Sequence, residues 1–92
     1  MEIDEAVAKT LKHAELYFSK TQIASWLNWK DENGLCLLHY LVALDLDTAI
    51  KSILVSGANI GIKVQESEVT ALIIAMARGN EKTQQTLISF GA

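Results

Sequence analysis

The sequence predicts an all-α repeat, a solenoid of three stacked helix-turn-helix units joined by short β-hairpin connections. The first observation is internal similarity, because residues 35–58 align with residues 69–92 at an offset of 34. The second is the helical periodicity of the apolar positions within each unit. The third is the Gly-Ala pair that closes both units, at Gly57 and Gly91.

Helix signals recur at matching positions of the two units. The dense apolar stretch over residues 35–44 predicts a helix that is covered on more than one side. Asp47 is predicted to cap the next helix over residues 48–56, and Asn80 to cap the matching helix over residues 81–90. The predicted core of the middle unit is Leu38, Leu41, Ile50, Ile53 and Leu54.

The predicted helices end at residues that accept left-handed backbone. Asp45 and Gly79 stand at equivalent positions after the first helix of each unit. Gly57 and Gly91 are predicted to stop the second helices. Residues 59–69 mix β-branched with polar side chains, which predicts an extended, hairpin-like connection.

A degenerate third unit is predicted at the N-terminus. At an offset of 27 residues, Ile23 and Leu27 align with Ile50 and Leu54 of the middle unit. The connection that follows is shorter than the next one, so the first hairpin should be truncated. The predicted elements are a helix over residues 2–18, an N-cap at Ser19 and a short helix over residues 20–27.

Two sequence motifs resemble the ankyrin repeat. Residues 31–39, DENGLCLLH, resemble its opening D-x-x-G-x-T-P-L-H, and residues 50–59, I-x-x-I-L-x-x-G-A-N, resemble its closing V-x-x-L-L-x-x-G-A-D. Parts of both recur over residues 70–92, so the resemblance covers residues 31–92. Cys36 replaces the motif threonine, and Leu37 replaces the motif proline. The single domain, residues 1–92, then divides into a cap unit over 1–30, a middle repeat over 31–63 and a C-terminal repeat over 64–92.

The ankyrin resemblance implies a protein–protein interaction module, such as an adaptor, an inhibitor or a targeting domain, with no catalysis and no cofactor. Binding would use the hairpin tips and the concave face as a preformed surface, so little ordering entropy would be lost. The acidic hairpin tips would favour a partner with a basic surface. The partner-binding residues that the resemblance implies are Leu16, Tyr17, Glu32, Asn33, Leu35, Ala43, Leu44, Lys63, Glu66, Ser67, Val69, Ala77 and Arg78.

The two tryptophans receive different predictions. Trp26 stands in the position of an aliphatic core residue and is expected to be buried. Trp29 lies in a polar connection, where it either anchors a binding partner or covers the shortened first hairpin.

Three residues carry side chains that could act in catalysis or bind a metal ion. His39 is expected to be structural, because the matching histidine of ankyrin repeats hydrogen-bonds the backbone near the adjoining hairpin. Cys36 occupies a structural threonine position, and His13 is expected to face solvent. These three residues lack the spacing of metal ligands, so no metal site is predicted. The sequence contains no P-loop, G-x-G-x-x-G, G-x-S-x-G or H-E-x-x-H motif, so no enzyme is predicted.

The amino-acid composition argues against several other classes of protein. The chain has 92 residues, 50% of them apolar, with one cysteine and no proline, which argues against a disulfide scaffold and a disordered tail. The net charge of −3 argues against a nucleic-acid module. No apolar run approaches the roughly 20 residues that span a bilayer, and the acidic start is unlike a targeting segment. The expected location is the cytoplasm, or a host cytosol if the protein is a secreted effector.

One alternative function stays open at this point. The last unit is apolar nearly all round and ends at the close of a repeat, as in a self-assembling structural element. The same features would suit a fragment of a larger ankyrin-repeat protein, either a bacterial effector or a eukaryotic regulator. Self-association through the open C-terminal repeat is therefore expected.

Overall fold

Six α-helices account for the regular structure of residues 3–92, the part of the chain that this computed structural model describes. None of these helices is long and apolar enough to cross a membrane. The molecule measures 37 × 28 × 23 Å along its principal axes. The helices are α1 (Ile3–Ala14), α2 (Lys20–Leu27), α3 (Leu37–Ala43), α4 (Asp47–Val55), α5 (Ala71–Arg78) and α6 (Glu81–Ser89).

The expected β-hairpins are absent from residues 3–92, where no residue lies in a strand. The connection between α4 and α5 consists of turns and bends. It contains one hairpin-like bond, from the Val64 amide to the Val69 carbonyl at 2.8 Å. The β-branched residues did not produce a strand pair because Ile60 and Ile62 pack against the core while the polar residues between Val64 and Val69 turn the chain.

The helix pairs α3–α4 and α5–α6 begin 34 residues apart, at the offset of the sequence similarity. The first helix of each pair ends in left-handed backbone, with φ of 58° at Asp45 and 71° at Gly79. The next amides, of Leu46 and Asn80, then bond back to the carbonyls of Leu41 and Ala75. This six-to-one bond satisfies a terminal carbonyl and reverses the chain in two residues, as predicted.

Helix α4 lies at the centre of the packing. It contacts α1, α3 and α6, and its residues Ala49, Ile50 and Ile53 are fully buried. Leu54, which is also predicted for the core, is only half-buried and packs against the buried residues. The other four aliphatic side chains predicted for the middle core are buried: Leu38, Leu41, Ile50 and Ile53.

The N-terminus of α4 is capped by a residue that lies 44 positions earlier in the chain. Asp4 of α1 accepts hydrogen bonds from the backbone amides of Thr48 and Ala49. The prediction that Asp47 caps this helix is wrong, because Asp47 is already its first helical residue. The Asp47 carboxylate instead accepts from the Thr86 hydroxyl at 2.8 Å, which ties α4 to α6.

Helix α1 ends at Ala14 and not at residue 18 as expected, while its expected start at residue 2 lies outside the described residues. It runs parallel to α4, since Asp4 meets the start of α4 and Glu15 lies 3.5 Å from the Ser56 hydroxyl at its end. Beyond that point Leu16 and Tyr17 are exposed, and no burial offsets the cost of extending the helix. Helix α2 has the predicted bounds, and Ser19 caps it with Gln22 in a reciprocal capping box.

We predict that Leu38→Ala lowers the free energy of unfolding by about 2–5 kcal/mol, because Leu38 is 1% exposed and its removal leaves a cavity. Leu44→Ala is the matched control, since Leu44 is 62% exposed on the same segment and should change stability by less than about 0.5 kcal/mol. Urea unfolding followed by circular dichroism measures both. Equal stabilities of the two variants would contradict the core assignment.

Candidate functional site

An aromatic groove lies where α2 ends and α3 begins. Its volume is about 230 Å³, and three rings line it together with aliphatic side chains and one carboxylate. Trp26 comes from α2, Trp29 from the connection and Tyr40 from α3. The full lining is Trp26, Trp29, Asp31, Leu35, Leu37 and Tyr40; we call this set the aromatic groove.

The two tryptophans of the groove are largely open to solvent. Trp29 is 67% exposed and Trp26 is 54% exposed, so the expectation that Trp26 is buried is wrong. The edge of one ring in the Trp26–Phe18 pair meets the face of the other at a centroid distance of 4.8 Å. Because Ile23 and Leu27 take the buried positions of this short helix, Trp26 falls on its outer side.

Asp31 is held in place by a tight turn in front of α3. Its Oδ1 accepts from the backbone amides of Asn33 and Leu35, at 2.9 and 3.0 Å. Its Oδ2 accepts from the hydroxyl of Tyr40. The Tyr40 hydroxyl, and after it the Leu35 amide, hold the pKa of Asp31 below its ordinary value, while the same bond raises the pKa of Tyr40. The groove therefore carries a fixed negative charge at neutral pH.

His39 joins the start of α3 to the following connection. Its Nδ1 lies 3.0 Å from the backbone nitrogen of Cys36, which can only donate, and its Nε2 lies 2.9 Å from the carbonyl oxygen of Ile62, which can only accept. The ring is therefore neutral, with its proton on Nε2. The expected structural role of His39 is confirmed.

The Cys36 thiol lies 3.4 Å from His39 Nδ1, but this contact does not form an accessible reactive pair. Cys36 is 2% exposed and His39 is 1% exposed, and both ring nitrogens of the histidine are already engaged by backbone groups. Over residues 3–92 there is no group of three histidine, cysteine, aspartate or glutamate side chains that could hold a metal ion. His13 is exposed, as expected.

Gln65 connects the tips of the two loops that precede α3 and α5. Its backbone amide donates to the Gly34 carbonyl at 3.1 Å, and its side-chain amide donates to the Asn33 carbonyl at 2.6 Å. Gly34 has a φ of 75°, and a Cβ there would lie 2.1 Å from Gln65 Cγ, so only glycine fits. Sequence reasoning missed Gln65, because a glutamine in a polar loop gives no signal of its contacts.

Most of the predicted partner-binding residues are exposed. Leu35, Ala43 and Val69 are half-buried. The exposed ones are Leu16, Tyr17, Trp29, Glu32, Asn33, Leu44, Lys63, Glu66, Ser67, Ala77 and Arg78.

Two of the predicted charged residues are engaged within the molecule. Arg78 binds the Asp45 carboxylate at 3.0 Å, which joins the C-terminal ends of α3 and α5 and lowers the pKa of Asp45. Lys63 binds Glu68 at 2.8 Å within one connection. Exposed ion pairs of this kind contribute little to stability. Because both side chains are also solvent-accessible, a partner can compete for either cation.

Tyr17 and Leu44, both predicted to bind the partner, lie near opposite ends of α4. Tyr17 follows the end of α1, which lies beside the end of α4 near Ser56, whereas Leu44 precedes the start of α4. The length of α4, about 13 Å for nine residues, separates these two ends. Leu44 instead lies beside the Asp45–Arg78 pair, near the ends of α3 and α5.

No family model, curated protein or solved structure matches this chain. The function proposed below therefore rests on the residues of the chain itself. Of the aromatic groove, the sequence indicated Trp29 and Leu35 as binding residues and Asp31 as part of an acidic loop tip, but it did not indicate Tyr40 or the exposure of Trp26. The spacing of three residues between the tryptophans was the available signal, since it places both rings near one side of a helix end.

We predict that His39→Ala lowers the free energy of unfolding by roughly 2–4 kcal/mol, because it leaves the buried Cys36 amide and Ile62 carbonyl without their shared partner. His13→Ala, at an exposed position, is the control and should leave stability nearly unchanged. Thermal and urea unfolding measure the difference. A stable His39→Ala protein would show that the ring does not hold the connection in place.

We predict that Tyr40→Phe raises the pKa of Asp31, because it removes the hydrogen bond that lowers this pKa most. A lowered folded-state pKa stabilises the fold above the pKa of the unfolded chain, and the contribution disappears as pH falls below about 4. Carboxyl carbon NMR titration should therefore show a higher Asp31 midpoint in the variant, with a weaker dependence of stability on pH in the acid range. An unchanged midpoint would contradict the bond.

Proposed function

We propose that this protein is a protein–protein interaction module of the ankyrin type, acting as an adaptor, inhibitor or targeting domain, without catalysis or a cofactor. It binds its partner through the loop tips and the exposed ends of α3 and α5. The observation that carries the proposal is that Tyr17 and Leu44 stay exposed at positions that the ankyrin resemblance assigns to recognition, and that Trp29 is exposed in the connection before α3. Such side chains at a protein surface mark interaction sites.

The surface is already ordered before the partner binds. Binding therefore loses little conformational entropy, whether the partner is folded or extended. The Asn33–Gln65 and Arg78–Asp45 contacts fix the loop tips and the helix ends relative to each other. The 34-residue recurrence of the helix pairs, with the same chain reversal, supports the ankyrin assignment. The His39 bond to Ile62 supports it as well.

We predict that Leu44→Ser weakens partner binding at least about fivefold, because Leu44 is a large apolar side chain beside the Asp45–Arg78 pair. Val55→Ser is the matched control, since Val55 is 76% exposed on α4 and lies outside the proposed surface. Affinity capture from native cytosol identifies the partner, and calorimetry then measures the dissociation constants. Equal affinities of the two variants, with unchanged melting temperatures, would contradict this surface.

A second function is a self-assembling element, and one observation favours it. Ile73, Met76 and Ile88 are all exposed on α5 and α6, at the open end of the helix stack. A second copy or a following repeat would cover them. Sedimentation of the wild type and of Met76→Lys over a concentration series tests this function. A wild type that stays monomeric at high concentration would contradict it.

A further inference from the structure

We propose that the aromatic groove binds the side chain of an arginine from a basic segment of the partner protein. The juxtaposition that carries this inference is three rings, Trp26, Trp29 and Tyr40, around the fixed carboxylate of Asp31. The inference rests on the proposed function, because the arginine belongs to the partner protein that the module is proposed to bind.

The rings supply the first part of the recognition. A cation over the face of tryptophan or tyrosine is attracted by the negative charge of the ring face, and tryptophan is the strongest of these partners. A guanidinium group is planar, weakly hydrated and stacks on aromatic faces better than the compact ammonium of lysine. Trp29 and Trp26, which are 67% and 54% exposed, both line the groove and are accessible to such a cation.

Asp31 supplies the second part. Its Oδ1 is saturated by two backbone amides, whereas its Oδ2 accepts from the Tyr40 hydroxyl and keeps one acceptor position. A guanidinium N–H can donate to that position and gain a charge-assisted bond. The turn already holds the carboxylate, so binding does not have to order it.

The surrounding charges favour a cationic occupant. Glu32 follows Asp31 and is exposed, and the whole chain has a net charge of −3. Lys30 is the neighbouring cation; it is exposed and does not line the groove. A neutral side chain would gain no charge-assisted bond from Asp31, and the negative charge of Asp31 would repel an anionic one, so the groove discriminates against both.

Tryptophan fluorescence reports on the aromatic groove alone, because the only two tryptophans of the chain line it. The probe is an acetylated, amidated tripeptide with arginine between two glycines, titrated into the full chain while tryptophan fluorescence is recorded. The matched probes carry citrulline, which has the same shape without the charge, and lysine. We expect a saturable change with arginine that weakens as salt is added, affinity at least fivefold lower with citrulline, and intermediate affinity with lysine.

Variants assign the binding to the groove. Trp29→Leu should lower the affinity for the arginine probe at least fivefold, with Trp26 still reporting, while Phe90→Leu, an aromatic change outside the groove, should leave it unchanged. Asp31→Asn should remove the preference for arginine over citrulline. Because this variant also alters the turn, its melting temperature is measured alongside, and Trp29→Leu tests the groove independently.

The outcomes separate this inference from the proposed function. Equal binding of arginine and citrulline, or no saturable change with any probe, would overturn the arginine site even if a partner protein is captured through Leu44. Arginine binding that Trp29→Leu leaves intact would place the site elsewhere and overturn it too. Arginine binding lost in Trp29→Leu supports the inference, and the capture experiment then decides the proposed function separately.

Discussion

The position of α4 is the constraint on which the rest of the structure depends. A helix of nine residues is too short to be stable alone in water, so it persists only through packing. Ala49, Ile50 and Ile53 are completely covered because α1, α3 and α6 all pack against this helix. Of these three helices, α1 packs mainly against α4, whereas α3 and α6 pack against α5 as well as α4.

Polar contacts complete the arrangement at both ends of α4. Asp4 reaches its first amides from α1, and the Thr86 hydroxyl bonds to Asp47 from α6. At the other end, Asn28 from the end of α2 donates to the Gly57 carbonyl at 3.1 Å. The bonds from Asp4 and Asn28 satisfy backbone groups that the ends of a helix leave without partners, and all three bonds link elements that are far apart in the chain.

The start of α3 links the core to the exposed surface. His39 is buried and holds the Cys36 amide and the Ile62 carbonyl, whereas Tyr40, the next residue, faces outward and donates to Asp31. One turn of helix therefore anchors the connection on its inner side and shapes the aromatic groove on its outer side. Because buried contacts hold the start of α3 in place, the exposed groove keeps a defined shape before a ligand binds.

Local residues determined where α2 and α6 begin and how α3 ends. The capping residues Ser19 and Asn80 and the left-handed position at Asp45 are local signals, because a cap or a chain reversal involves atoms only a few residues apart. Helical periodicity likewise identified Leu38 and Ile50 as core without knowledge of their neighbours.

The tertiary structure alone decided which residue caps α4, where Trp26 lies and that the connections form no strands. Asp4 lies 44 residues from the amide of Thr48, and nothing local distinguishes it from other acidic residues of the first turn of α1. Trp26 is exposed because Ile23 and Leu27 occupy the buried side of α2. In so short a helix, the spacing of apolar residues does not show which of the three is buried. The groove joins residues of α2, a connection and α3, so its shape exists only once the helices have packed.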